Sequence, residues 1–207
     1  MSELIGQLVI SVFALLAITN PFGNLPIFIS MTDDLKECQR RKLFRLIVYV
    51  AALIVLIFAI VGPLIMAKFF QVELSQLRIA GGALLIAMGI KNILFPQEHK
   101  NHDISDYNVS DDEANERIVP MAFPMLVGPG ALATVIVINE ETGIIVTAGA
   151  ILITFALIFG LFMLAKYIEM LMGKLAMFVM SRIMQVFIMA IGVKMLLTGI
   201  IDIFGLA

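Results

Sequence analysis

The 207 residues are 61% hydrophobic and 14% charged, against roughly 45–50% and about 25% in soluble domains, which excludes a water-soluble fold: a chain of this length could not hide so much apolar surface. A net charge of -2 excludes a basic nucleic-acid surface, and the polar connections are too short for a separate domain. The single cysteine, Cys38, excludes an intrachain disulfide.

The charges cluster and leave apolar runs near the ~20 residues that cross a bilayer, and these runs predict six spans. The first, Leu4 to Met31, is preceded by Glu3 and by no Lys or Arg, so it lacks the positive leader of a cleaved signal peptide and reads as a retained span. Its interior holds Asn20-Pro21-Phe22-Gly23-Asn24-Leu25-Pro26. A proline removes a backbone donor and blocks the carbonyl one turn earlier. Free carbonyls are therefore expected near residues 17 and 22, with Gly23 permitting a turn and a half-helix restarting near Leu25. Lys36, Arg40, Arg41, Lys42 and Arg45 follow, then the second span, Leu46 to Ala67; only Lys68 and Arg78 flank the start of the third, Leu77 to Phe95. Loops rich in Lys and Arg stay inside, which assigns the first loop to the cytoplasm.

Residues 98–117 form an acidic linker whose composition reads as a flexible hinge. It divides a first three-helix unit, 1–97, from a second, 118–207. The fourth span, Ile118 to Ile138, contains Pro124 and then Gly128-Pro129-Gly130, with Thr134 a turn later. After Asn139 to Thr142, which carries no Lys or Arg, the fifth span runs from Gly143 to Ala165. Lys166, Lys174 and Arg182 precede the sixth, Ile183 to Phe204. Alternating sides from the cytoplasmic first loop puts both termini outside.

The two units resemble one another in order. Spans one and four each carry proline and glycine in their interior; spans two and five end Gly62 to Lys68 and Gly160 to Lys166; spans three and six open Arg78-Ile79 and Arg182-Ile183 and later read Gly89-Ile90-Lys91 and Gly192-Val193-Lys194. An odd number of spans per unit makes the second copy enter from the opposite side. The expected fold is thus an all-α integral membrane protein of six transmembrane helices, built as two inverted-topology three-helix repeats with the first helix of each repeat broken.

Irregular backbone at membrane depth is tolerated where protein or a watery cavity satisfies it, and broken helices commonly line substrate sites. Candidate substrate-binding residues are Asn20, Pro21, Gly23 and Asn24 in the first break, with Gly128, Pro129, Gly130 and Thr134 in the second. The two asparagines offer amide donors and acceptors to a polar ligand, or act as glue between helices. A half-helix amino terminus favours an anionic group such as a carboxylate. Lys194, about 12 residues or roughly 18 Å into span six, could pair with that carboxylate or with exposed helix carbonyls. Lys91 is expected to snorkel, and Ala83 with Ala87, and Ala156 with Gly160, to form close-packing surfaces. No carboxylate falls well inside a span and no nucleophile-base constellation is present, so no catalytic residue, cofactor or metal is expected; His99 and His102 read as solvated.

The Asn20 to Pro26 motif, the later Gly128-Pro129-Gly130-Ala131 and the Leu77-Arg78-Ile79-Ala80-Gly81-Gly82 opening of span three resemble the MarC family of bacterial and archaeal inner-membrane proteins, over nearly the whole chain. The resemblance implies six spans and secondary transport of small neutral amino acids such as glycine and alanine, with Asn20, Pro21, Gly23, Asn24, Gly128, Pro129 and Gly130 as the motif positions. The expected partners are the bilayer and a small-molecule substrate, with homo-oligomerisation left open and nucleic acid excluded. The alternatives are an exporter of another small metabolite or drug, and a non-transporting membrane scaffold.

Overall fold

The computed structural model describes residues 2–32, 35–94 and 117–205. The acidic linker, with His99, His102 and the expected hinge, lies outside the described residues except for Arg117. At hydrocarbon depth each backbone polar group must bond within the chain, which helices achieve. The described elements are α1 (Ser2–Thr19), α2 (Pro21–Ser30), α3 (Glu37–Ile65) continued by a π-helical turn (Met66–Phe70), α4 (Leu74–Leu94), α5 (Ile118–Leu126), α6 (Pro129–Thr142), α7 (Ile144–Met163) and α8 (Ala165–Phe204).

Among the described residues five stretches are long and apolar enough to cross a bilayer: Glu3–Ser30, Glu37–Phe70, Leu74–Leu94, Ile144–Met163 and Leu175–Phe204. The pair α5 and α6, bent by 62°, makes a sixth if it counts as one span. Two boundaries differ from the sequence reading. The second helix starts nine residues early, at Glu37, because the charged stretch stabilises a helical turn. Gln39 Oε1 accepts from the Lys36 N–H at 3.3 Å, Glu37 sits at the positive end of the dipole, and Arg41 pairs with Glu37 at 2.6 Å. The last span starts at Leu175 rather than Ile183. Arg182 is no end marker, since it lies within the helix and reaches across to α4; the break falls at Gly173, whose φ of 72° suits glycine.

The broadest packing is between α4 and α8, which run antiparallel: Gly82 faces Gly192 and Leu196, Gly89 faces Met189 and Gln185, and Gly199 faces Ser75 and Arg78. A methyl group on Gly82 would lie 2.5 Å from the Gly192 carbonyl oxygen, so the two backbones touch only because both residues are glycine. The expected small-residue surfaces are displaced. Ala83 and Ala87 are exposed, because Gly82 and Gly89 face α8 instead and Gly81 meets Ala133 of α6 and Met195 of α8. Gly160 has no atom within 4 Å of where a Cβ would stand, so it hollows the surface rather than packing it. Elsewhere Phe162 of α7 meets the rings of Phe28 and Phe44 at 5.2 and 5.6 Å, fastening α2, α3 and α7 through a fully buried aromatic group.

Arginines tie α2 and α4 to segments that follow residue 116 at both ends of the bundle. At one end Arg117 Nη1 donates to the Met31 carbonyl at 2.6 Å, and Arg182 Nη1 to the carbonyls of Asn92 and Ile93 at 2.9 and 3.0 Å. These are the carboxyl ends of α2 and α4, where helix carbonyls lack ladder partners and the dipole is negative. At the other end Arg78 of α4 pairs with Glu141 at 2.6 Å and with Asp202, at the ends of α6 and α8.

Candidate functional site

The first break is centred on Asn20, which takes the left-handed conformation with φ 41° and ψ 58°. Asparagine tolerates that region better than other residues with a side chain. It caps α2: Asn20 Oδ1 accepts from the Gly23 N–H at 3.2 Å, and Pro21 supplies the first helical position, where its missing N–H is harmless. The half-helix therefore begins at Pro21, four residues before the expected Leu25. The carbonyl expected to be free at residue 17 is satisfied, since the Asn20 N–H bonds both Leu16 O and Ala17 O at 3.1 Å. The carbonyl left out of the ladder is that of Thr19, because the Gly23 N–H bonds Asn20 instead. Asn24 Nδ2 fills the gap, donating to Thr19 O at 2.9 Å.

The same amide nitrogen crosses to the second break, donating to Met125 O at 3.2 Å. That break spans residues 123–128: Phe123 is extended at φ -142° and ψ 127°, the Phe123–Pro124 peptide is cis, Val127 and Gly128 are extended, and α6 restarts with Pro129 at its first position. Asn24 thus stitches the two interrupted spans to one another.

Glycine at 23 answers to contact rather than to a turn, since its φ is ordinary. A Cβ there would run into the Asn20 amide nitrogen and stand 2.6 Å from Ser181 Oγ of α8. Ser181 was not among the sequence candidates; a serine four residues before Gln185 inside an apolar helix was the available signal, as polar side chains in a span at i, i+4 share a face.

Other candidates fall elsewhere. Gly128 and Gly130 face α4, where Cβ atoms would lie 3.1 Å from Met88 and 2.6 Å from Leu85; the bare backbone expected to meet a ligand is covered by these side chains. Thr134 is 3% exposed, bonds the Gly130 carbonyl at 2.8 Å and touches Met195, as a core residue does. Lys194 is exposed on the outer face of α8, one residue from the buried Met195, and is not brought to the breaks. Pro129 is exposed. Of the candidate residues, the structure gathers Asn20, Pro21, Gly23 and Asn24, and adds the Met125 carbonyl and Ser181.

Asn139 repeats the device used by Asn24. Pro63 cannot donate to the Ala59 carbonyl one turn back, and Asn139 Nδ2 does so at 2.8 Å. On the flank of the first break, α1, α7 and α8 enclose an apolar groove of about 830 Å³, whose walls include Phe13, Phe22, Gly160, Met184 and Phe187.

Long apolar helices, two of them broken and stitched by a side-chain amide, define a multi-pass α-helical integral membrane protein. The model of the MarC family integral membrane protein matches residues 5–204, and the chain belongs to that family. Relatives occur in bacteria and archaea. The chain is 30% identical over 207 residues, all of both chains, to UPF0056 membrane protein PYRAB13050 of Pyrococcus abyssi. It is 31% identical to UPF0056 membrane protein MJ1677 of Methanocaldococcus jannaschii, covering 90% of this chain and 92% of the relative. It is 28% identical to UPF0056 membrane protein YvbG of Bacillus subtilis, covering 92% of each. No solved structure matches the chain.

Proposed function

We propose that the chain is a secondary transporter of small neutral amino acids of the glycine or alanine type, holding its substrate between the two broken spans near the bilayer midplane. The observation that carries this reading is the bond from Asn24 to Met125 O at 3.2 Å, which joins an interruption in one unit to an interruption in the other. Continuous helices would have no reason to present carbonyls to one another at that depth. The inverted repeat belongs to the same proposal. Its supports are the antiparallel crossing of α4 and α8 through Gly82 and Gly192, and the corresponding arginines, Arg78 and Arg182, each clasping helix ends of the opposite unit. Rocking of one unit against the other would then open the site to either side, with both termini outside.

The test is uptake and efflux of labelled glycine and alanine by the full chain in proteoliposomes, with Asn20→Ala beside the wild type. Flux above that of protein-free vesicles, lost in the variant while it stays folded with a melting temperature lowered only by the loss of the α2 cap, is the expected result. A folded wild type that moves neither amino acid refutes the reading and leaves the exporter of larger solutes or the scaffold. Orientation is read from Cys38, which is exposed: a membrane-impermeant thiol reagent should reach it only from the cytoplasmic side.

The apolar groove of about 830 Å³ beside Phe22 favours a second reading, an exporter of larger apolar metabolites or drugs. Under it, apolar cations or planar drugs rather than glycine would drive flux, and Gly160→Phe, which fills the groove, would abolish it.

A further inference from the structure

Three polar groups at the first break have no partner of their own. Asn20 exposes only 9% of its surface. Its Oδ1 is used by Gly23, while its amide nitrogen has no hydrogen bond among the described residues. Ser181 Oγ, half-buried on α8, has none either, and lies against the same point above Gly23 as that nitrogen. One turn along the same face of α8, Gln185 is 6% exposed; its Oε1 accepts from Arg182 at 3.4 Å and its amide nitrogen is unpartnered. None of these three atoms is fully enclosed, unlike Arg78 Nε and Asn139 Oδ1, so a small ligand can reach them, and they are of one kind: two amides and a hydroxyl, each able to donate. The acceptors nearby are already used, since Thr19 O and Met125 O receive Asn24.

We propose that Ser181 and Asn20 form the anion-binding half of the site, a notch above Gly23 that takes the carboxylate of the transported solute, with Gln185 as a further donor one turn away. The chemistry is neutral: charge is met by oriented N–H and O–H groups and by the amino terminus of α2, which begins at Pro21. Lys194, on the outer surface, supplies no charge there, and the neighbouring Arg182 is turned to the carbonyls of Asn92 and Ile93 and to Gln185 Oε1. Glycine at 23 lets both donors close over its backbone, where a Cβ would run into the Asn20 amide nitrogen and stand 2.6 Å from Ser181 Oγ. A neutral notch suits a zwitterion, because a fixed cation would favour simple anions over a solute that carries its own ammonium group. This inference rests on the transport reading for its physiological meaning, and its test separates the two.

The purified full chain in detergent is titrated by calorimetry with glycine, acetate and methylamine, and glycine flux is measured in proteoliposomes. Wild type is expected to bind glycine and acetate. Ser181→Ala should weaken both by roughly tenfold, the loss of one hydrogen bond to a charged group, and should raise KM for glycine flux with Vmax kept. Ser181→Thr, which retains the hydroxyl, should restore binding, and methylamine should not distinguish the three proteins. Asn20→Asp keeps the cap on Gly23 but replaces the donor with a negative charge, and should abolish acetate binding without lowering the melting temperature by more than a few degrees. The notch is overturned if Ser181→Ala binds glycine and acetate as wild type does, if Ser181→Thr is as weak as Ser181→Ala, or if wild type binds neither ligand. Binding without flux overturns transport and keeps the notch; flux with an unchanged KM in Ser181→Ala overturns the notch and keeps transport.

Discussion

Removing the Asn24 amide should separate the two broken spans. In Asn24→Ala two hydrogen bonds vanish, those to Thr19 O at 2.9 Å and to Met125 O at 3.2 Å, and both carbonyls are left without that donor at a depth where water is scarce. Hydrogen bonds between membrane helices average about 0.6 kcal/mol with a maximum near 1.7, whereas an acceptor left unsatisfied costs about 1–3 kcal/mol. The larger penalty is taken for Thr19 O, whose ladder donor, the Gly23 N–H, turns to Asn20, and the smaller, interhelical figure for the link with Met125 O. The sum is about 2–4 kcal/mol. For a chain of this length that amounts to a fall in melting temperature of roughly 5–15 °C, on the scale of 2–4 °C per kcal/mol found for soluble domains. The assay is thermal unfolding in detergent followed by circular dichroism, with Thr19→Val as a control. The Thr19 hydroxyl bonds only within its own helix, to Leu15 O at 2.8 Å and more weakly to Leu16 O, so its loss should shift the midpoint by no more than a few degrees. An Asn24→Ala protein that melts with the wild type, or no lower than Thr19→Val, would show that the stitch holds nothing.

Gly82→Ala should destabilise by about 1–3 kcal/mol, as overpacking does, because its methyl group meets the Gly192 carbonyl and Leu196 nitrogen, which cannot swing aside. Gly160→Ala, placed in open space, should melt as wild type or slightly higher, and equal losses in the two would refute the helix contact. Arg78→Lys should lower the melting temperature at low salt, because a single ammonium cannot replace a guanidinium that reaches both Glu141 and Asp202; the deficit should shrink in 0.5 M NaCl. Asn139→Leu should cost about 1–3 kcal/mol by orphaning the Ala59 carbonyl beneath Pro63. In a Pro63→Ala background, where an alanine N–H can serve that carbonyl, the same change should cost distinctly less.

The spans were legible because apolar length is a coarse property that survives without knowledge of neighbours. The position of the first break was legible too, since two prolines and a glycine within six residues disrupt any helical ladder. Its geometry was not. Pro21 reads equally as a breaker and as a first helical residue, and only the left-handed Asn20 decides for the second. Arg182 marked the start of the last span wrongly because a long cation can stand inside a helix when another helix offers it carbonyls, and that partner is ninety residues away in sequence. Gly128 and Gly130 read from sequence as open backbone, but glycine marks close approach without saying whether a ligand or a helix approaches; here it is α4. Ser181 escaped for the converse reason, as one hydroxyl in an apolar run acquires meaning only when Gly23 is found against it.

The arginine ties differ in what mutation can do to them. At the end held by Arg117 and Arg182 the acceptors across the bundle include the peptide oxygens of Met31, Asn92 and Ile93, which every residue type possesses, so those three bonds can be removed genetically only from the donor side. At the end held by Arg78 both partners are side chains, Glu141 and Asp202, and charge reversal can be compensated by a second reversal opposite. A search for suppressors of arginine-loss alleles should therefore return paired exchanges at Arg78 with Glu141 or Asp202, and none at Met31, Asn92 or Ile93.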